Sequence, residues 1–328
     1  MLNAKISGIA SYVPDDILDN EMLSKMVDTN DEWITTRVGI KERRILRDET
    51  KGSSFMGIKA VEKLLAEYNI DPMDVDLIIC GTSNPDYRFP STASLIQHGC
   101  ALDNAYAFDI QAACAGFIVT VQAARAFILS GMAKKVIVVC AEKMSSMTDY
   151  EDRATCPLFG DAAAAVLLEP TDEPVGVIDA EVHVDGDGLH HLLMKAGGSA
   201  RPASHETVDG HEHFIYQEGR AVYKHAVRNM LSSTLSVMSR NHLTVNDVDW
   251  LVPHQANLRI IEAVSGRAGF PEEKVLVNIQ HVGNTSAASI PLCLDEYKGK
   301  LKKGDKIMMT AFGAGFTWGA MYLVWAID

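Results

Sequence analysis

Phe108-Asp-Ile-Gln-Ala-Ala-Cys114-Ala-Gly-Phe117 is the stretch from which the chain is read outward. An apolar segment, Ala105 to Ile110, runs as a buried strand into a patch of small residues. A helical pattern then continues without a break to Ser130 and is stopped by Gly131. Strand, small-residue turn and helix in this order point to an α/β protein. Cys114 sits at the joint, near a helix N-terminus where unpaired amides and the helix dipole favour a thiolate. Ala112, Ala113, Ala115 and Gly116 leave room for a substrate to approach closely. A free cysteine among alanines is also the pattern of a small buried hydrophobe. The fragment alone leaves nucleophile and core residue open.

The helix after Cys114 is apolar nearly all round (Phe117, Ile118, Val119, Val121, Phe127, Ile128) and has no face to give to water, which places it at the centre of the protein. The strands read as continuous apolar runs rather than alternating ones, as in sheets covered on both faces. Two mixed sheets with helices between and outside them satisfy both patterns.

The chain also repeats itself. Asp74-Val-Asp-Leu-Ile-Ile79 enters a strand, as does Asp247-Val-Asp-Trp-Leu-Val252, and each follows a helical segment, Phe55 to Tyr68 and Ala221 to Asn241. Phe108-Asp-Ile-Gln111 is echoed by Val277-Asn-Ile-Gln280, and Lys135-Val-Ile-Val-Val139 by Lys306-Ile-Met-Met-Thr310. Phe159-Gly160 follows in one half and Phe312-Gly313 in the other. Three matches in one order indicate a duplicated α/β unit, larger than the short periods of solenoid repeats. The break falls near Pro170 to Pro174, giving halves 1–172 and 173–328. A glycine- and histidine-rich stretch from Gly186 to His213 departs from the repeat.

A chain of 328 residues is long enough for two packed halves with a large core. The formal net charge of −13 argues against sequence-independent nucleic-acid binding. Cys80, Cys100, Cys114, Cys140, Cys156 and Cys293 include no CxxC pair, so free thiols in a reduced compartment are expected. The N-terminus lacks the charged and apolar regions of a signal peptide, and no apolar run is long enough to span a bilayer. A cytoplasmic protein is expected, with no membrane partner. His190, His191, His211 and His213 fit no standard metal spacing, so no metal site is expected.

The duplication has a chemical consequence. Asn284, in His281-Val-Gly-Asn-Thr-Ser-Ala-Ala-Ser289, follows the second-half counterpart of the strand before Cys114. His254, in Val252-Pro-His-Gln-Ala-Asn-Leu-Arg259, ends the strand that begins at Trp250. If the halves pack about a pseudo-dyad, loops after related strands converge on one site. Cysteine, histidine and asparagine then meet as a nucleophile with two hydrogen-bonding partners. Singly, the histidine reads as an ordinary polar group and the asparagine as a turn; together, on small-residue loops after apolar strands, they favour the functional reading.

These residues resemble the β-ketoacyl-acyl carrier protein synthase III family of the thiolase superfamily. The likeness covers essentially the full chain. It rests on Ala113-Cys-Ala-Gly-Phe117, Val252 to Arg259, Gly283-Asn-Thr-Ser-Ala-Ala-Ser289, Phe312-Gly-Ala-Gly-Phe-Thr-Trp-Gly319 and the N-terminal block Asp31 to Ile40. The resemblance implies a thiolase-like α-β-α-β-α sandwich and a decarboxylative condensation of a short acyl-CoA primer with malonyl-acyl carrier protein. Cys114 would carry the acyl group as a thioester, and the amides of Cys114 and Ala314 would form an oxyanion hole, each donor worth about 3 kcal/mol. Family members often carry Gly at the position of Ala314. His254 and Asn284 would stabilise the malonyl-derived enolate. No cofactor is implied.

For substrate binding, the resemblance implies an adenine sandwich of Trp33 and Arg153, a CoA contact at Arg37, and a pantetheine tunnel lined by Gly219 and Asn257. Arg220 departs from the family, whose best-known members carry Asn there. Phe89 would cross a homodimer interface to close the partner's acyl pocket, and Phe312 would form another wall. Lys224, Arg259 and Arg267 would receive the acidic carrier protein, against the long-range repulsion of two acidic bodies. Two other readings stand beside this one: a specialised-pathway synthase or acyltransferase with the same triad, and a catalytically silent partner subunit, which retention of all three residues disfavours.

Overall fold

Val136 to Glu142 is apolar at six consecutive positions before the glutamate, and every one of the seven residues is buried. The computed structural model, which describes residues 2–328, shows why. In chain order the main elements are β1 (Asn3–Tyr12), α1 (Asp31–Val38), α2 (Ser53–Glu67), β2 (Leu77–Gly81), α3 (Thr92–Gly99), β3 (Tyr106–Ile110), α4 (Gly116–Leu129), β4 (Val136–Glu142) and β5 (Ala162–Thr171). The second half continues with β6 (Gly176–Val184), α5 (Gly219–Arg240), β7 (Trp250–Pro253), α6 (Leu258–Ala268), α7 (Ser289–Tyr297), β8 (Lys306–Gly313) and β9 (Thr317–Val324).

The first sheet has the order β1-β5-β4-β2-β3, with β2 parallel to β3 and β4 and the other pairs antiparallel. The second has the order β7-β8-β9-β6, with β7 parallel to β8 and the rest antiparallel. Matched in chain order, the second sheet repeats the first without its edge strand β3. The expected echo of β3, Val277 to Gln280, does not form a ladder strand. It starts as irregular chain and turns into a short helix at Ile279–Val282. A single bridge, Leu251 to Val275, marks where the strand would lie. The Gln255 side chain takes over the pairing: its Nε2 donates to Pro253 O (2.7 Å) and Leu276 O (3.3 Å), and its Oε1 accepts the Asn278 amide (3.0 Å). Buried backbone groups must find partners, and here a side chain supplies them.

Side-chain parity explains the apolar runs. Alternate strand residues point to opposite faces. Val136, Val138 and Cys140 of β4, with Ile307, Met309 and Ala311 of β8, pack on the central helices α4 and α7. Ile137, Val139 and Ala141 face the other way, under Met56, Ala60, Val61 and Leu64 of α2. Beneath the second sheet, Met308, Ala320 and Tyr322 pack against Val237 and Met238 of α5. The result is the layered α-β-α-β-α sandwich of the thiolase fold, with α4 central as its composition required. No helix among the described residues is long and apolar enough to cross a membrane.

Candidate active site

Related turns open the two central helices. In the first half a short 3-10 turn, Ala113–Ala115, precedes α4; in the second a 3-10 turn, Ser286–Ala288, precedes α7. Each begins with a residue in the left-handed region, Ala113 at φ 45° and Ser286 at φ 51°. Side chains other than glycine rarely adopt this conformation, and such strain gathers at functional sites. The turns touch: a Cβ added to Gly116 would lie 2.9 Å from Ala287 Cβ. The pseudo-dyad thus passes between the two turns and brings Cys114 to the second half.

Cys114 faces a cavity of about 920 Å³, whose lining also includes His254, Asn284, Phe312 and Ala314. It is partly exposed there, whereas the other five cysteines are buried. All six are free thiols. The expectation of a thiol lowered by the helix terminus is corrected. Burial is the main cause that raises Cys114 to about 12; a hydrogen bond to Ser286 opposes it and the Glu142 carboxylate adds to it. Desolvation dominates because burial removes the water that would solvate a thiolate.

Two partners orient the other residues of the triad. The His254 amide donates to Thr310 O (2.8 Å), which ties the loop to β8, and Nδ1 lies 2.6 Å from Ser289 Oγ. The Gln255 amide donates to the same Oγ at 3.4 Å, and in the tautomer where the Ser289 hydroxyl donates to Nδ1 the ring proton sits on Nε2. Burial lowers His254 to about 3, so the ring is neutral. Asn284 is held by its backbone, which donates to Leu158 O (2.8 Å) and accepts from the Gly160 amide (3.1 Å). Its Oδ1 accepts the Ser286 amide (2.9 Å), which leaves the amide NH₂ as a donor.

Behind Asn284 stands a residue the sequence did not single out. Arg43 is fully buried and donates to Pro157 O through Nε (3.0 Å) and Nη2 (2.5 Å), and to Asn20 Oδ1 through Nη1 (2.6 Å). It fixes the segment whose next residue, Leu158, receives Asn284. Burial lowers even this guanidinium to about 10. Nothing local marks Arg43 as buried, because its partners Asn20 and Pro157 lie 23 and 114 positions away.

Ala314 lines the same cavity as Cys114, and the end of β8 runs against Cys114: a Cβ on Gly313 would lie 2.6 Å from the Cys114 nitrogen. The left-handed position falls on Gly315 (φ 138°) rather than on Ala314, so the Cβ of Ala314 is accommodated.

At the mouth, the guanidinium of Arg153 lies 5.0 Å from the Trp33 ring centre and that of Arg37 5.5 Å. Arg37, Gly219, Arg220, Asn257 and Arg259 line the cavity. Asn257 Oδ1 caps α6 by accepting the Arg259 amide (2.9 Å), leaving its NH₂ free. Lys224 and Arg267 lie exposed on the packed helices α5 and α6, and Arg220 and Arg228 share the Lys224 face of α5 at four-residue intervals. Phe89 is not on the lining of its own chain's cavity; it is 86% exposed on the loop before α3. Phe312 is buried, 4.8 Å from the Phe316 ring.

The stretch that departs from the repeat is a wall of this cavity, a role its composition did not disclose. Leu192–Met194 pairs with Ile215–Gln217 as a small ribbon, and Leu189, Leu193 and Ala196 face the cavity. His211 Nδ1 ties this stretch to Asp149 of the first half at 2.8 Å. Among the described residues no cluster of His, Cys, Asp or Glu is suited to hold a metal.

Residues 108–186 match the family model described as 3-oxoacyl-[acyl-carrier-protein (ACP)] synthase III, and residues 238–325 its C-terminal counterpart. The β-ketoacyl-[acyl-carrier-protein] synthase III of Porphyromonas gingivalis is 56% identical over 327 residues, covering 100% of this chain and 98% of that protein. The chain belongs to the 3-oxoacyl-[acyl-carrier-protein] synthase III family. It is accordingly a condensing acyltransferase that initiates fatty-acid synthesis. Among synthase III structures, that from Aquifex aeolicus aligns with a TM-score of 0.90 at 43% identity, covering 98% of this chain and 100% of that one. The priming β-ketosynthase of the R1128 polyketide pathway aligns with the same TM-score at 32% identity, covering 99% and 96%.

Proposed function

We propose that this synthase III condenses a short acyl-CoA with malonyl-acyl carrier protein in two half-reactions at one cavity. The observation that carries the reading is the convergence of Cys114, His254 and Asn284 on that cavity from three different loops. The halves 1–172 and 173–328 divide the work, the first supplying the nucleophile and the second the two donors.

In the first half-reaction Cys114 Sγ attacks the acyl carbonyl and CoA leaves. The oxyanion is held by the amides of Cys114 and Ala314, donors already fixed by the 3-10 turn and the end of β8. In the second, malonyl-acyl carrier protein enters the emptied tunnel and loses carbon dioxide. The enolate oxygen receives Nε2–H of His254 and the Asn284 amide. A neutral imidazole suits this role, in the tautomer where Ser289 donates to Nδ1 and Nε2 carries the proton. The enolate carbon then attacks the thioester and releases a 3-oxoacyl product.

Trp33, Arg153 and Arg37 take the nucleotide of CoA, with the adenine entering between the indole and the Arg153 guanidinium. Gly219 and Asn257 flank the pantetheine arm, and Arg220 adds a cation there. Lys224, Arg259 and Arg267, extended by Arg228, form the basic surface for the acidic carrier protein. Phe89, exposed on its own chain, closes the acyl pocket of a second copy in a homodimer.

The test is intact-protein mass spectrometry with a panel of acyl-CoAs, using Cys114→Ala as control, followed by malonyl-acyl carrier protein. A short acyl adduct on the wild type alone, discharged as 3-oxoacyl product, supports the priming reaction and names the primer. Adducts that malonyl-acyl carrier protein never discharges point to a specialised acyltransferase instead. No adduct with any donor overturns the assignment of Cys114.

A further inference from the structure

Glu142, the last residue of β4, is fully buried and takes no part in the steps above. Its carboxylate accepts the Ser83 amide at 3.1 Å to each oxygen, the Thr82 hydroxyl at 3.2 Å and the Ser286 hydroxyl at 3.0 Å. Every one of these donors is neutral. The titratable groups around it are the thiols of Cys80, Cys114 and Cys140. A buried carboxylate without a cation is costly, so its placement calls for a reason.

The reason lies in the other contact of Ser286. Its Oγ accepts a hydrogen bond from Cys114 Sγ at 3.6 Å while donating to Glu142 Oε1. Ser286 is buried and held in its left-handed conformation, with its amide bound to Asn284 Oδ1. The chain Sγ–H, Oγ–H, Oε1 is therefore continuous from the nucleophile to the carboxylate. Asp161 makes the contrast. It is equally buried and bonded to the Leu46 and Ser145 amides and the Ser145 hydroxyl, but none of those donors touches a reacting group.

We propose that Ser286 and Glu142 form a proton relay that takes the thiol proton of Cys114 during acyl transfer and returns it during condensation. The inference rests on Cys114 being the nucleophile. In the first half-reaction the Sγ–H bond breaks as Sγ–C forms. The thiol proton passes to Ser286 Oγ, the Ser286 proton passes to Glu142 Oε1, and the CoA thiolate leaves and takes a proton from solvent. In the second, the bond from the enolate carbon to the acyl carbon forms and C–Sγ breaks. The thiolate takes a proton from Ser286, which recovers its own from Glu142. One proton is consumed from solvent per turnover, as loss of carbon dioxide requires.

Electrostatics favours this route. The relay moves one negative charge from Oε1 to Sγ and never places two in the same dry site. Burial raises Glu142 to about 7, a value suited to a base at neutral pH, whereas His254, lowered to about 3, is too weak to hold the proton.

The experiment follows acylation of Cys114 by acetyl-CoA in quenched time courses, by intact mass, from pH 6 to 9, for the full chain and for Glu142→Gln and Ser286→Ala. Expected is a wild-type rate that falls below pH about 7 as Glu142 protonates. The two variants should be about 100-fold slower or more, with rates rising tenfold per pH unit as hydroxide replaces the relay. Ser286→Ala keeps the other partners of Glu142 and serves if Glu142→Gln fails to fold. Wild-type rates in a folded variant overturn the relay, as does a slow variant that keeps the wild-type break in its pH profile, since that marks a merely structural role. Absence of any adduct on wild-type Cys114 would instead sink the nucleophile assignment itself.

Discussion

His254 Nδ1, on the loop after β7, and Ser289 Oγ, at the start of α7, lie 2.6 Å apart, and both residues are buried. With Ser289 donating to Nδ1, the ring proton sits on Nε2, where it can be donated to an enolate. Replacing Ser289 by alanine removes that constraint. Expected is a loss of about tenfold in malonyl-acyl carrier protein decarboxylation, the equivalent of one ordinary hydrogen bond. Acylation of Cys114 should be unchanged. Separate assays of the two half-reactions check this, and an equal loss in both would count against it.

His254 also makes stability depend on pH. Its folded pKa, about 3, lies below the ordinary 6.5. The unfolded chain therefore binds a proton that the native state refuses. The contribution is fully present above pH 6.5 and is lost as pH falls toward 3, at about 1.4 kcal/mol per pH unit. Compared with a His254→Gln variant, wild type should lose about 2 kcal/mol between pH 7 and 5 in urea denaturation. Parallel curves for the two proteins would refute the buried neutral ring.

Trp33 offers its ring to Arg153 and Arg37. If the adenine of CoA enters this stack, Trp33→Ala should raise KM for acetyl-CoA about fivefold, in line with an aromatic stack of about 1 kcal/mol. Acetyl-pantetheine, which lacks the nucleotide, should react equally with both proteins. Steady-state kinetics with the two donors separates a lost nucleotide contact from general damage.

Gly313 has no room for a side chain, since a Cβ would lie 2.6 Å from the Cys114 nitrogen and 3.0 Å from Ala113 Cβ. Gly313→Ala should push the nucleophile away from the oxyanion donors and slow acylation at least 100-fold, the loss typical of one misplaced donor. Thermal unfolding beside single-turnover acylation checks it: a stable variant that acylates normally would show that β8 does not set the geometry.

Much of the architecture was legible because it is written locally. Six apolar residues in a row in β4 specify a strand covered on both faces, and the apolar circumference of α4 specifies a central helix. The candidate triad was legible for a similar reason, since Cys114 and His254 each follow an apolar strand and Asn284 lies in the small-residue run Gly283 to Ser289. The echo at Val277 misled because strand propensity cannot show that the Gln255 side chain would take over the ladder. The roles of Arg43 and Glu142 were hidden, since a charged residue beside apolar neighbours reads as surface until its partners are known.

The sequence by itself determined the duplicated fold, the family, and which cysteine, histidine and asparagine to propose as nucleophile and partners, because period, composition and motif are properties of neighbouring residues. Only the tertiary structure decided their chemical states. Desolvation raised the Cys114 thiol, Ser289 came within 2.6 Å of the His254 ring, and the departing stretch at Gly186 to His213 became a cavity wall. Each depends on atoms brought from distant positions in the chain, and burial and hydrogen bonding act through space rather than along the backbone.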